Sequence, residues 1–351
     1  MSSNRDQAYL KTRVSLFSAR LLDAEKVERL KQMTLNQLGK TLDLEPIFEE
    51  ALDNQQTIRL VEQAGLQQLM GELSVLLRPL SGRSRGLLLH WPRKYELFNL
   101  KTLIRGKLNN LDIEEIQDNL HELPESISLP HESLLQAENV LEMLRRLEQG
   151  PYAIVARHAR HVFEEKNEGF SLDAAIDRLY YTNLRRQINM SDSSDQHGAQ
   201  KLISLMIDRQ NILWLMRYRL VYRFASSEAY YLLIPSGGRI QRPSLMSLAN
   251  LESLEAIIDQ LPDPFRHLLT DVDNITQVRQ RFDYFIGLEM RKLIRYSSDA
   301  VISALAYLIA RDIDLRRLYA IVQGKLLQMD PQMIDAAVPS NPLAAILEPA
   351  A

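Results

Sequence analysis

Apolar positions in this chain recur at helical spacing far more often than they alternate. Leu30, Met33 and Leu38, and again Val140, Leu141, Leu144 and Leu147, follow the three-to-four-residue rhythm of one helix face. Glycine and proline cluster in "RPLSGRSRG" (78–86), "LEQGP" (147–151), "IPSGGRIQRP" (234–243), "LPDPF" (261–265) and the tail after Ala337. Between these breakers run long stretches of Leu, Arg, Glu and Gln, all good helix formers. The best strand candidate, "YYLLIP" (230–235), stands alone. The pattern predicts an all-α fold.

One helix is written three times. "YELFNLKTLIRGKL" (95–108) returns as "MIDRQNILWLMRYRL" (206–220) and more loosely as "ARDIDLRRLYAIVQGKL" (310–326). Aligned without gaps, Glu96, Asn99 and Arg105 match Asp208, Asn211 and Arg217, and the apolar positions match between them. The third copy keeps Asp314 at the Asn position but has Arg311 where the acid is expected, with Asp312 one residue later, and its "GKL" falls three residues late. At 100° per residue, positions 97, 100, 104 and 108 form an apolar stripe, and 96, 99, 103 and 107 a mixed stripe beside it. Asn is a poor helix former, so its place in mid-helix, twice, calls for a reason. Two are open: the amide and acid bond neighbouring parts of the chain, or the mixed stripes face a common centre and hold a partner.

A second element repeats ahead of the first. "RLYYTNLRRQI" (178–188) and "RFDYFIGLEMRKLI" (281–294) share paired aromatics, a Leu and basic residues; Tyr180 precedes Asn211 by 31 positions and Tyr284 precedes Asp314 by 30. In the first repeat "LQQLMGELSVLLRPL" keeps the apolar pattern without the aromatics. The duplicated unit is thus a helix pair. "NLHELPESISLPHES" (119–133) and "PSGGRIQRP" (235–243) mark boundaries, giving expected units 1–122, 123–236 and 237–351. Residues 1–30 read as the first helix, and "NMSDSSDQH" (189–197) as a loop or cap.

Composition narrows the function. Lys and Arg number 42 against 45 Asp and Glu, so no strong field draws nucleic acid to the chain. The absence of cysteine rules out disulfides and thiolate chemistry and suits a reducing compartment. The apolar run "AVISALAYLIA" (300–310) is far short of the ~20 residues of a membrane span, and the N-terminus lacks a signal-peptide core. His158 and His161 are spaced for metal, but Arg157 and Arg160 beside them disfavour a cation and point to a solvated basic face. "SGRSRG" (81–86) lacks the ending and the preceding strand of a P-loop and reads as a surface loop. The adjacent glutamates of "FEE" (48–50) and "FEEKNE" (163–168) point to different helix faces. No catalytic constellation, cofactor motif or metal site emerges.

Taken together, "YLKTRVSLFSARLLDAEKVERL", "YELFNLKTLIRGKL", the "LYYTNLRRQI" to "MIDRQNILWLMRYRL" pair, "YYLLIPSGG" and "RFDYFIGLEMRKLIRYSSDAVISALAYLIARDIDLRRLYAI" resemble the C subunit of bacterial and archaeal V/A-type ATPases, a family that includes the d subunit of eukaryotic V-ATPases. The resemblance covers most of the chain and rests on the order of several motifs. It implies a funnel of three similar helical units around a pseudo-threefold axis, without catalytic activity. It also implies one copy per complex at the cytoplasmic face of the membrane rotor ring, with the central-stalk subunits received in the cavity and ATP turnover coupled to ion transport. Carried onto this chain, Glu96, Asn99, Arg105, Asp208, Asn211, Arg217, Asp312 and Asp314 become candidate contacts to stalk or ring. The residues alone also leave open a soluble helical scaffold without a rotary role.

Overall fold

The computed structural model describes residues 4–50, 53–149, 152–166, 169–190, 194–235 and 238–343, and among them there is no strand. The chain opens with α1 (Asn4–Ser18), α2 (Ala24–Gln32), α3 (Leu35–Leu42) and α4 (Glu45–Glu49). The first repeat supplies α5 (Asn54–Leu77), α6 (Gly82–His90), α7 (Arg93–Leu108) and α8 (Ile113–Asp118). After a 3-10 turn come α9 (His131–Leu135), α10 (Val140–Leu147), α11 (Ala153–Lys166), α12 (Gly169–Asn189), α13 (Gln196–Met216) and α14 (Ser226–Leu232). The rest is α15 (Arg242–Ala249), α16 (Leu254–Asp259), α17 (Phe265–Leu268), α18 (Ile275–Tyr296), α19 (Ala300–Leu326) and α20 (Pro331–Ala337).

Capping chemistry explains where the elements depart from the sequence expectation. The start of the chain is two helices rather than one, because the Asp23 carboxylate caps α2 by accepting from the Lys26 N–H. The run through Leu30, Met33 and Leu38 is likewise cut: Thr34 and Gln37 form a capping box that starts α3. "SGRSRG" is helical as the start of α6, and the Arg85 guanidinium donates to the Leu77 carbonyl at 2.8 Å, closing the end of α5. In "YYLLIP" residues 230–232 belong to α14. Asp195 caps α13 through the Gly198 N–H, as the polar loop predicted, although residues 191–193 of that loop, like 150–151 and 236–237, lie outside the described residues.

The copied helices end alike. After α7, Asn110 takes a left-handed φ of 53° and the Leu111 N–H reaches back to the Gly106 carbonyl at 2.9 Å; after α19, Gln328 has φ 51° and the Met329 N–H bonds the Gly324 carbonyl at 2.8 Å. Gly106 and Gly324 are required there, because any Cβ would strike Ile116 on α8 or Ile334 on α20 as these short helices fold back. The matching left-handed residue after α13 is Arg223, φ 58°. It comes one position late relative to Asn211, and the single π-helical turn over Arg217–Val221 absorbs the extra residue.

α7 packs on α12, α13 on α18, and α19 returns to α5. α19 is buried along most of its length, and its first half, Ala300–Ala310, is apolar on nearly every side; it also receives α1 and α20. One apolar core runs from Leu10 on α1 through Trp91, Leu100 and Leu215 to Tyr307 on α19, and a smaller cluster joins Val27, Leu30 and Leu38 to Ile321 and Val322. No helix among the described residues is long and apolar enough to cross a membrane.

Candidate functional site

The repeated Asn explains itself in the geometry. Within α7 the Asn99 amide donates to the His121 carbonyl at 2.8 Å and accepts from the His121 N–H at 2.8 Å. In α13 the Asn211 amide does the same to Ile234, donating at 3.1 Å and accepting at 2.8 Å. Each amide satisfies both main-chain groups of one residue, as a neighbouring strand would. This is why the "YYLLIP" segment has no need of a sheet. The bonded residues fall 22 and 23 positions after their Asn.

The third copy divides the task between two side chains. Asp314 accepts from the Leu22 N–H at 2.7 Å, and Arg291 on α18 donates to the Leu22 carbonyl at 2.6 Å. A carboxylate cannot donate, so the guanidinium supplies what the amide nitrogen supplies elsewhere. Leu22 lies between α1 and α2. The beginning of the chain thus serves the third repeat as residues 121 and 234 serve the first two.

The acid positions diverge more. Asp208 accepts from the N–H groups of Arg239 at 2.8 Å and Ile240 at 3.3 Å, and Gly238 leaves the space that its carboxylate occupies. Burial pushes that carboxyl up to about 6, against the pull of the two N–H groups. Glu96 is fully buried, its two oxygens have no hydrogen-bond partner, and burial lifts it to about 8 in spite of nearby Arg93. It is therefore mostly protonated at neutral pH. In the third copy Arg311 is buried and donates to Gln68 at 2.7 Å, 3.9 Å from Glu72 on α5, which also accepts from Arg20 and Tyr307, each at 2.7 Å. There the charge is inverted and the carboxylate comes from the facing helix. Asp314 is pushed up to about 6 by burial, opposed by the Leu22 N–H, Arg291 and Arg317. Arg105 is exposed and pairs with Asp173 of α12, while Arg217 is half-buried at the head of the π turn.

Of the expected residues, only Asp312 lines the cavity that all three repeats share. This space of about 530 Å³ is walled by Leu66 of α5, by Lys94, Tyr95, Phe98 and Lys101 of α7, by Tyr180 and Tyr181 of α12, by Gln210 of α13, and by Asp312, Arg316 and Tyr319 of α19. Asp312 bonds Lys94 at 2.7 Å and Arg316 at 2.6 Å and accepts from the Tyr95 hydroxyl. Arg316 stands 3.8 Å from Asp283, which pairs with Arg209 at 2.7 Å. One charged chain therefore links α7, α19, α18 and α13. Burial alone would raise the Asp312 carboxyl, but Arg316 and Lys94, with hydrogen bonds from Lys94 and Tyr95, outweigh it and hold the group well below the usual carboxylate range. Burial brings Lys94 down to about 8, countered by Asp312. Lys101 closes a second pair with Asp177 of α12 at 2.7 Å.

The α7 residues in this wall belong to neither of the two stripes drawn from the sequence. Leu97, Leu100 and Ile104 are buried, and so are Glu96, Asn99 and Leu103 of the mixed stripe; the cavity takes the third face, 94, 98 and 101. Their i, i+4, i+7 spacing is the signal that sequence reading passed over. His158 and His161 are both exposed on α11, and no group of three metal-ligating side chains occurs among the described residues.

Three outcomes follow for variants. Asn211→Leu leaves the N–H and carbonyl of Ile234, 1% exposed, without partners and should cost about 2–5 kcal/mol; Asn99→Leu should cost less, about 1–3 kcal/mol, because water can reach half-buried His121. Chemical denaturation measures both. Arg291→Ala should destabilise the fold, and adding Asp314→Asn should recover part of the loss, since the amide can then donate to the Leu22 carbonyl itself; a double variant no more stable than Arg291→Ala contradicts the divided clamp. Glu96 binds its proton up to about pH 8 in the fold and only to its ordinary value near 4.5 when unfolded, so the folded state holds more protons and stability falls as pH rises through that window. Between pH 6.5 and 8.5, above the range of Asp208 and Asp314, Glu96→Gln should show a flatter melting profile than the wild type.

Comparison with known proteins agrees along nearly the whole chain. The sequence model of the ATP synthase (C/AC39) subunit family matches residues 10–337. The C subunit of the A-type ATP synthase of Haloquadratum walsbyi is 24% identical over 342 residues, covering 92% of this chain and 95% of its own length. Those of Methanosarcina mazei and Methanococcoides burtonii are 22% and 23% identical, over 93% and 95% of this chain and 91% and 94% of theirs. With the family match spanning the helices that build the clamps and the cavity, this chain belongs to the ATP synthase (C/AC39) subunit family of the A/V-type ATPases.

Proposed function

We propose that this chain is the non-catalytic rotor subunit that joins the central stalk of such an ATPase to its membrane rotor ring, one copy per complex, at the ring's cytoplasmic face. It couples ATP turnover to ion movement by transmitting torque. The observation that carries this reading is the cavity walled by helices of all three repeats, braced by the charged chain from Lys94 to Arg209. The units 1–122, 123–236 and 237–351 stand around a pseudo-threefold axis, and the cavity is the seat of the stalk.

A socket that carries torque must resist deformation. Close packing resists it, and so do buried polar bonds made in both directions. In this reading Asn99, Asn211, Asp208 and Asp314 contribute to partner binding by holding the walls in shape, Glu96 makes no such bond, and Asp312 contributes from the cavity surface itself. Arg105 and Arg217 stand at the helix ends. Apolar side chains are also exposed there: Leu108 at the end of α7 and Ile113 at the start of α8, Val221 and Tyr222 after α13, Leu327 after α19 and Met333 on α20. Exposed apolar side chains at the ends of the copied helices favour a protein-docking surface, and these ends are assigned to the ring.

The test is recovery of the complex. Pulled from membranes in mild detergent at low salt, the tagged chain should bring both ring and central-stalk subunits with it. Recovery of neither sinks the reading.

A further inference from the structure

Beside the shared cavity lies a smaller cleft of about 200 Å³ between α18, α19 and residues 337–342, and its charge is unbalanced. Arg279, Arg316 and Arg317 line it against one carboxylate, Asp283. The neighbouring carboxylates are already engaged. Asp283 is held by Arg209 at 2.7 Å, Asp312 by Arg316 and Lys94, and Asp314 by the Leu22 N–H, with Arg317 at 3.8 Å. Arg279 reaches solvent, and the carboxylate that acts on it, Asp283 four residues on, is held by Arg209. Partial burial and then Arg209, with Arg217 and Arg316 behind it, weaken the hold of Arg279 on its proton against the pull of Asp283.

The size and place of the cleft narrow the occupant. A volume of 200 Å³ fits a side chain and is below the roughly 300 Å³ at which small-molecule sites begin, so a nucleotide is too large. Arg316 lines both spaces, so a group in the cleft and a group in the cavity meet the same guanidinium. A guanidinium presents a planar fork of donors that matches a carboxylate.

Resting on the stalk-seat reading above, we propose that Arg279, backed by Arg316, receives a carboxylate from an acidic segment of the protein that enters the cavity. The α18–α19 wall then fixes the rotational setting of the stalk by charge, while the aromatic rings of α7 and α12, Tyr95, Phe98, Tyr180 and Tyr181, fix it by shape. Charge complementarity of this kind sets orientation and salt sensitivity more than raw affinity.

The experiment uses the full-length chain in its complex, solubilised in mild detergent, and follows the retained central-stalk fraction as sodium chloride is raised. Arg279→Glu should weaken retention by roughly tenfold in apparent affinity, and Arg279→Gln by less and with a shallower salt dependence. Arg145→Glu, an equal charge change at an exposed site on α10, should match the wild type, and melting curves confirm that each variant is folded. If the wild type retains the stalk and Arg279→Glu retains it equally, with the same salt response, the acidic contact is overturned and the coupling role stands. If the wild type holds no stalk, both readings fall. If inorganic phosphate raises the melting temperature of the wild type but not of Arg279→Gln, while stalk retention is the same in both, the cleft is a free-anion site and the proposal is overturned.

Discussion

A side chain that satisfies both main-chain groups of a distant residue is the constraint on which this structure depends. Asn99 and Asn211 each hold one residue of an irregular connection against a helix flank. An irregular segment laid across a helical core carries N–H and carbonyl groups that no helix ladder supplies, and leaving them unpaired costs more than the pairing gains. The amide removes that cost at one point. The connections can then cross the core, and helices of the successive pairs can line one cavity.

The third copy shows that the geometry is retained while the chemistry changes. Asp314 and Arg291 together do what one amide does, and Arg311 with Glu72 inverts the charges found at Asp208. α19 is also the helix that faces the cavity with Asp312 and Arg316. The departure from the repeat pattern therefore coincides with the charged chain that spans the repeats.

How much of this was legible in the sequence depended on distance along the chain. The all-α class, the cap of α13 by Asp195 and the face of α10 follow from local spacing and composition, and they appear as expected. The copied helix was visible because matching residues recur in register. What it packs against was not: Leu22 and Asp314 are 292 positions apart, and nothing local to either names the other. The cavity face of α7 was hidden for a different reason. Lys94, Phe98 and Lys101 are neither an apolar stripe nor a conspicuous polar pair, so only the tertiary arrangement distinguishes them from an ordinary solvated face. "SGRSRG" misled because glycines and arginines suggest a loop, whereas the end of α5 needed a donor for its last carbonyls and Arg85 supplied one from the next helix.

The bond between Leu22 and Asp314 has a consequence for the making of the protein. Leu22 leaves the ribosome 292 residues ahead of Asp314. Until α18 and α19 emerge, the N–H and carbonyl of Leu22 lack Asp314 and Arg291, and α1 and α5 cannot bury their flanks against α19. The entropic cost of closing so long a loop grows only slowly with its length, as (3/2)RT ln n. The delay therefore lies in time rather than in equilibrium stability: in the nascent chain the Leu22 N–H waits for a carboxylate that is made 292 residues later.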